Sequence, residues 1–406
     1  MSVVDTTRLP LTTRRAVSTF GMSVLGLLTA NLLPLMLIAL EESLGMSVAE
    51  AGGVLTGSLL ATAVACTAST RWAEGTRRTR VAQIGLIVSA AAFAVAALNI
   101  GAVATVAAVI LGGAGVGGAL AASGAALAAL RNPNRMSAVN GLVNRAIVTV
   151  VLAAIPLIGI TTGSVFGFVA ALSLALLLAA TWLPQAPVVS APAEVATAAA
   201  PQSRAVTLAG VALLAMFAVW AISEDSVWAL AGTMGADQTG LTDAGLGVVL
   251  SVSSAGGFVA ALALIFVGDK LGRAAPLAIL LTAGGALKLA AALTDDPTVY
   301  TIVLIAWNTV YLAAFLLFIA TAAALDANGR FSGPSIGVYL FGSAFSPLVG
   351  GWLAQSVGYV GFGWAIAITS WVLIVPVVAI AALSTRVQRR ERVLAAASAS
   401  TPEVAR

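Results

Sequence analysis

Residues 102–130, AVATVAAVILGGAGVGGALAASGAALAAL, form a run of 29 positions without a single charged side chain. A helix that crosses a bilayer needs about 20 mainly apolar residues, because the hydrocarbon core is about 30 Å thick and each residue rises about 1.5 Å. A strand of a membrane barrel is only about ten residues long and alternates apolar with polar side chains, unlike this segment. The segment therefore predicts a membrane-spanning helix.

The composition of the whole chain agrees with that segment. Of the 406 residues, 60% are hydrophobic and 9% are charged, and the mean hydropathy is +1.04. Soluble domains carry about 25% charged residues, so a soluble enzyme is excluded and we predict an all-α membrane protein. The single cysteine excludes a disulfide scaffold, and the absence of histidine removes the usual general base and metal ligand. No phosphate-binding loop is present, so direct ATP drive is not expected, and we expect no cofactor and no metal.

Eleven further segments are long and apolar enough to span the membrane. The twelve predicted spans cover residues 17–40, 48–69, 80–98, 102–130, 137–160, 163–183, 205–231, 244–267, 275–293, 298–324, 333–355 and 360–383. The gaps after odd-numbered spans contain no Lys or Arg and hold Asp and Glu instead. Because positively charged loops stay in the cytoplasm, both termini are predicted to be cytoplasmic in a multi-pass cell-membrane protein. The pI of 9.7 then reflects topology rather than nucleic-acid binding.

The chain also repeats itself. A shift of 195 residues places Gly45 on Gly240, Ser58 on Ser253 and Arg78 on Arg273. Residues 184–204 are rich in Ala and Pro, which is typical of a linker. We predict an N-terminal six-helix bundle at 1–183, a cytoplasmic linker at 184–204, a C-terminal six-helix bundle at 205–384 and a cytoplasmic tail at 385–406. Two parallel six-helix repeats are characteristic of secondary transporters.

Residues 268–273, GDKLGR, resemble the G-x-x-x-D-x-x-G-R signature of the major facilitator superfamily, without its first glycine. The first-half copy keeps only the charges. The resemblance implies two six-helix bundles that alternate access to a central cavity lined by spans one, four, seven and ten. A carboxylate that pairs with an arginine near a helix end forms a charge-assisted lock, and together with the resemblance this indicates a cytoplasmic gate. The gate candidates are Glu74, Arg77, Arg78, Gly268, Asp269, Gly272 and Arg273.

Charged residues inside the predicted spans are functional candidates, because a charge in the bilayer costs at least about 2.5–3.5 kcal/mol. Trp220, Glu224 and Trp228 share one face of span seven. Glu224 and Asp225 are therefore the predicted proton-coupling residues. The alternative is that span seven ends near residue 224 and both carboxylates lie in extracellular water.

Two cations also fall inside predicted spans. Arg145 in span five contacts an anionic substrate, pairs with an acid, or extends its long side chain to the cytoplasmic surface. Lys288, near the outer end of span nine, is expected to extend to the outer interface.

Uncharged polar residues occur in the spans that the resemblance places around the cavity. Asn31 precedes Pro34 in span one, and Asn308 and Tyr311 share a face of span ten. An amide beside aromatic rings suits an amphipathic or aromatic molecule held by stacking and a few hydrogen bonds. The predicted substrate-binding residues are Asn31, Trp220, Trp228, Trp307, Asn308, Tyr311 and Arg145.

These features favour a proton-coupled secondary transporter that exports a lipophilic or aromatic small molecule. The alternative is a proton-coupled uptake permease for a small organic anion, which requires Arg145 to face the cavity. A receptor or scaffold is disfavoured because no sizeable soluble segment is present, and a channel because nothing resembles a repeated filter. The expected partners are a small-molecule substrate, protons and the lipid bilayer, with no nucleic acid, and the protein is expected to be a monomer.

Overall fold

The computed structural model describes residues 8–185, 204–267, 272–325 and 330–399. Within them the chain forms thirteen α-helices, two short 3₁₀ helices at Ile155–Ile158 and Ala180–Trp182, and one isolated β-bridge between Leu9 and Leu130. The α-helices are α1 Thr13–Asn31, α2 Leu33–Leu44, α3 Val48–Glu74, α4 Arg78–Leu98, α5 Ala102–Ala128, α6 Pro133–Ala154, α7 Thr162–Ala179, α8 Arg204–Thr239, α9 Asp243–Val267, α10 Ala274–Leu293, α11 Pro297–Leu325, α12 Ser332–Ala344 and α13 Ser346–Ala399.

The predicted all-α membrane fold is confirmed, but the count of twelve spans is supported only roughly. In the described part of the chain, nine helical segments are long and apolar enough to cross a membrane, or ten if α1 and α2 form one bent span. One of the nine, Ser332–Arg389, contains both predicted spans eleven and twelve. Gly358 interrupts α13 there with a φ of +70°, a left-handed conformation that costs glycine little and other residues more. Predicted span eight corresponds to α9.

The first predicted span is not one straight helix. α1 ends at Asn31, α2 begins at Leu33, and the two axes are bent by 55°. Pro34 explains the break, because its ring has no N–H to donate and clashes with the preceding turn. The Asn31 side chain donates instead to the carbonyl of Leu27 within α1, at 2.8 Å. The interruption predicted from Asn31 and Pro34 is therefore present.

The two predicted connecting segments are only partly described. Of the linker at 184–204, residues 186–203 lie outside the described chain, so the division into two bundles stays a prediction. The tail predicted at 385–406 is helical as far as Ala399, because α13 continues through it.

The 195-residue repeat is visible in the packing of the helices. The Ser58 hydroxyl of α3 donates to the carbonyl of Val109 in α5 at 2.9 Å. The Ser253 hydroxyl of α9 donates to the carbonyl of Leu304 in α11, also at 2.9 Å. Val109 and Leu304 are themselves 195 positions apart, so the repeated serines make the same interhelical bond in both copies.

Helices α1–α7 contact helices α8–α13 towards one end of the molecule. We call this the acidic end, because Glu41, Asp237 and Asp243 lie there. The opposite, basic end carries Arg78 and Arg273. Across the acidic end, the Thr233 hydroxyl donates to Glu41 Oε2 at 2.9 Å, and the backbone N–H of Ile160 donates to Asp243 Oδ2 at 2.9 Å. Further bonds join Trp228 to Asn31, Ser251 to Thr149 and Leu348 to Thr56.

The repeated serines give a test of this packing. We expect Ser58→Ala and Ser253→Ala each to lower the free energy of unfolding by about 0.6 kcal/mol, the average for an interhelical hydrogen bond in a membrane protein. The matched control is Thr67→Ala, because the exposed Thr67 hydroxyl bonds only the Ala63 carbonyl of its own helix. Unfolding of the three variants in detergent measures the effect. Destabilisation by only one serine variant would contradict an equivalent role for the two bonds.

Candidate functional site

A buried ion pair joins α8 to α10. Lys288 Nζ lies 2.7 Å from Glu224 Oε1, and the two side chains are 0% and 2% exposed. The Lys288 ammonium also donates to the hydroxyls of Ser223 and Ser370, at 2.7 and 2.6 Å. All three ammonium hydrogens therefore have acceptors, which offsets part of the large cost of removing the charge from water.

The Glu224 carboxylate connects this pair to two more helices. Trp307 Nε1 of α11 donates to Glu224 Oε2 at 2.7 Å, and the Ser370 hydroxyl of α13 lies 3.3 Å from Oε1. The sequence predicted indoles on the same face of α8, yet the indole that bonds the carboxylate belongs to another helix. Glu224 thus ties α8, α10, α11 and α13 together at one point.

One alternative and one expectation drawn from the sequence are wrong here. Span seven does not end near residue 224, because α8 continues to Thr239 and both Glu224 and Asp225 are buried. Lys288 does not extend to the outer interface, because its ammonium bonds a carboxylate inside the helix bundle. An unpaired Glu224 in this place would cost several kcal/mol, which the ion pair avoids.

Asp225 has a different environment from its neighbour. The Tyr339 hydroxyl of α12 donates to Asp225 Oδ2 at 2.7 Å, and the hydroxyls of Tyr339 and Tyr311 are hydrogen-bonded to each other. Among the described residues the structure gives Asp225 no ion-pair partner. A hydroxyl chain therefore leads from the Asp225 carboxylate to Tyr311, whose side chain is only partly buried.

Aromatic rings surround this hydroxyl chain. Tyr311 stacks on Trp220 of α8 and on Trp307 of its own helix, with ring centroids 5.6 and 5.7 Å apart. Phe217 stacks on Phe318 behind Trp220, at 4.9 Å. Three predicted substrate residues, Trp220, Trp307 and Tyr311, are therefore adjacent.

The remaining predicted substrate residues are more dispersed. Asn308 is 3% exposed, and in the described part of the chain its Oδ1 has no hydrogen-bond partner. Trp228 Nε1 donates to the backbone carbonyl of Asn31 at 3.1 Å, so these two residues connect α8 to the break between α1 and α2. Arg145 Nη1 donates to the buried Ser254 hydroxyl of α9 at 3.3 Å. The structure therefore contradicts the alternative in which Arg145 extends to the basic surface.

Two of the predicted gate arginines, Arg78 and Arg273, hold the chain near the last helix of their own group of helices. Arg78 is fully buried, and its guanidinium donates to the carbonyls of Ala73, at 2.9 Å, and of Pro184, which follows α7. Arg273, which follows Gly272 at the start of α10, donates to Gln388 Oε1 of α13 at 2.9 Å. Each of these guanidinium groups thus connects the start of one helix to the end of a later one.

The carboxylate partners expected at the gate differ from what is seen. Glu74 and Arg77 are both exposed, and within the described chain neither forms an ion pair. Arg78 donates to the backbone carbonyls of Ala73 and Pro184 rather than to Glu74, whose side chain is exposed. Gly268 and Asp269 lie outside the described residues.

Comparisons with known proteins agree with this architecture. Residues 18–339 match the model of the Major Facilitator Superfamily, and the chain belongs to that family. It is therefore a multi-pass membrane transporter and not an enzyme, as predicted from composition and motif. No curated protein matches the sequence.

Solved structures of transporters share the fold. A mutant of the peptide transporter POT has a TM-score of 0.75 at 11% identity, over 95% of this chain and 98% of that one. The nucleoside transporter NupG has a TM-score of 0.67 at 16% identity, over 90% and 98%. A D-xylose-proton symporter has a TM-score of 0.65 at 14% identity, over 88% and 96%. Such low identities show the fold alone.

The ion pair can be tested by a double-mutant cycle. Lys288→Met leaves the Glu224 carboxylate buried without a cation, and we expect it to lower the free energy of unfolding by about 3–5 kcal/mol. The double variant E224Q/K288M carries no buried charge here and should be more stable than K288M alone. Glu42→Gln, at an exposed carboxylate, is the control and should change stability by less than about 0.5 kcal/mol. If the changes in unfolding free energy of E224Q and K288M simply added up to the change in the double variant, the two side chains would not be coupled.

Proposed function

We propose that this transporter exports a lipophilic or aromatic small molecule and couples the export to proton entry by alternating access. One observation carries the proposal: the Asp225 carboxylate and the stacking surface of Tyr311 belong to one hydrogen-bonded chain through Tyr339. A substrate that stacks on Tyr311 in place of Trp220 or Trp307 would move the tyrosine and so alter the hydroxyl contacts of the carboxylate. Substrate binding and proton binding at Asp225 then influence each other, which is what coupled transport requires.

The two adjacent carboxylates have separate roles in this proposal. Protonating Glu224 would leave the Lys288 ammonium without its counter-ion and would weaken the bond from Trp307. Protonating Asp225 breaks no described ion pair, and the tyrosine hydroxyl can reorient from donor to acceptor. Asp225 is therefore the proposed proton carrier, and Glu224 holds the helices that position it.

The orientation follows from the charges. The basic end is placed in the cytoplasm by the positive-inside rule, and the acidic end faces outward from the cell membrane. Because the bonds from Thr233 to Glu41 and from Trp228 to Asn31 lie towards the acidic end, we read this conformation as closed to the outside. Export requires these bonds to open while the basic end closes.

The cytoplasmic gate stays part of the proposal in a modified form. Arg78 and Arg273 hold the loops in place through bonds within their own groups of helices. The exposed Glu74 is then available to contact the other group when the basic end closes. The functional unit is proposed to be a monomer, because one chain supplies both the carboxylates and the aromatic surface.

A second candidate is proton-coupled uptake of a small organic anion. Arg145 favours it, because its partly exposed guanidinium faces α9 and, among the described residues, bonds the Ser254 hydroxyl without a carboxylate partner. A fixed cation between the two groups of helices is a suitable partner for a carboxylate substrate. A D-xylose-proton symporter has a similar fold and, by its name, moves its solute together with protons.

Reconstituted liposomes with a trapped pH indicator test the proposal. Lipophilic aromatic dyes and aromatic carboxylates serve as probes, and a proton gradient is applied from the side of the acidic end. We expect the gradient to drive dyes out through the wild type, with protons moving in the opposite direction. Asp225→Asn should abolish this proton-driven movement while dye exchange without a gradient continues.

Asp295→Asn is the matched control, because Asp295 is an exposed carboxylate outside the helices. It should behave as the wild type does. Normal proton-driven transport in the Asp225→Asn variant would overturn the role of Asp225. Accumulation of aromatic carboxylates together with protons, abolished by Arg145→Gln, would favour the second candidate over export.

A further inference from the structure

A groove of about 500 Å³ lies at the basic end, separate from the aromatic site and its carboxylates. It runs along α4, between α3 and α5. Its floor is built from glycines: a Cβ on Gly85 would lie 2.6 Å from the carbonyl oxygen of Gly115. The backbones of α4 and α5 are therefore in contact. Because glycine has no side chain, the space above this contact is open.

The long part of the groove is apolar and reaches the surface of the helix bundle. Val81, Ile84 and Val88 of α4 line it, one turn apart. Ile84 is 64% exposed, and the neighbouring Ile87 is 53% exposed. Apolar side chains so exposed on a membrane-spanning helix face lipid, so the groove is open to the hydrocarbon core of the bilayer.

The mouth of the groove at the basic end is cationic. Arg77 and Arg80 line it together with Trp72, which is 41% exposed, and the Arg71 guanidinium lies 4.5 Å from the Trp72 ring centroid. Tryptophan is enriched where headgroups meet the hydrocarbon core. The one carboxylate on this loop, Glu74, is exposed and does not line the groove, so positive charge dominates its mouth.

The length of the groove fits one leaflet. Arg77 and Val88 are eleven positions apart along α4, and a helix rises about 1.5 Å per residue, which gives about 16 Å. Half of a hydrocarbon core of about 30 Å is about 15 Å. A molecule held by its head at Arg77 and its tail at Val88 therefore spans one leaflet.

We propose that this groove binds one anionic phospholipid from the leaflet at the basic end. The phosphate accepts hydrogen bonds from Arg77 and Arg80, and an acyl chain lies along Val81, Ile84 and Val88 over the glycine floor. Guanidinium groups suit phosphate because they present several donors in a fixed plane. Basic pockets between membrane helices recognise anionic headgroups in this manner. The site is independent of the transported substrate and of the direction of transport.

Native mass spectrometry of the full chain in detergent tests the proposal, with dioleoyl phosphatidylglycerol and dioleoyl phosphatidylcholine as probes. Two arginines beside an anionic headgroup predict retention of phosphatidylglycerol about 10- to 30-fold above phosphatidylcholine. The variant R77Q/R80Q should lose this preference. Both side chains are exposed, so the variant is expected to fold.

The control R135Q/R389Q removes the same charge from two other exposed arginines and should keep the preference of the wild type. Equal retention of the two lipids by the wild type would overturn the proposal. If both double variants lost the preference for phosphatidylglycerol equally, the whole basic end would attract anions and the proposed site would be overturned. Displacement of the lipid by water-soluble glycerophosphoglycerol at equal concentration would show a phosphate site without the acyl-chain groove, and would also overturn it.

Discussion

The ion pair between Glu224 and Lys288 is the constraint on which the geometry of the site depends. Two charges are tolerated away from water only because every ammonium hydrogen and both carboxylate oxygens have partners. Successive residues of an α-helix are rotated by about 100°. Once Glu224 is held towards α10 and α11, the next residue, Asp225, has to point to another neighbour, and it meets Tyr339 of α12. The position of the proposed proton carrier is thus set by its charged neighbour.

The repeat shows how specialised this arrangement is. Shifted by 195 residues, Lys288 corresponds to Phe93 and Trp307 to Gly112. Phe93 stacks on Phe166 at 5.9 Å, and a Cβ on Gly112 would lie 2.8 Å from the Phe93 ring. The first copy therefore fills this place with a ring packed on a glycine, and the second fills it with a charge and an indole. The shared backbone supports both, but the titratable chemistry lies in the second copy.

The sequence predicted much of the fold because its signals are local. Apolar length identified the helices, Pro34 located the break after Asn31, and the repeat placed Ser58 on Ser253. The span count was less secure, since predicted spans eleven and twelve are separated only by a kink at the non-helical residue Gly358. The segment predicted as a tail from residue 385 continues α13 as far as Ala399.

The site was predicted less completely, because its contacts join distant positions. Glu224 and Lys288 are 64 residues apart, and no periodicity of a single helix relates them. In the sequence the two charges show no sign of being partners, and Lys288 is expected at the membrane surface. Tyr339 was not singled out, because one tyrosine in an apolar helix carries no signal until its partner is known. The partners of Arg78 were also unpredictable, since backbone carbonyls leave no mark in the sequence.

Infrared difference spectroscopy on reconstituted protein identifies the carboxylate that takes up the proton, because the carbonyl stretch of a protonated carboxyl group is separate from that of a carboxylate. We expect a buried carboxyl band to appear on acidification of the wild type. The band should persist in E224Q/K288M, where the ion pair is replaced by neutral side chains, and vanish in Asp225→Asn. A band that vanishes in the first variant and persists in the second would contradict the assignment of the proton to Asp225.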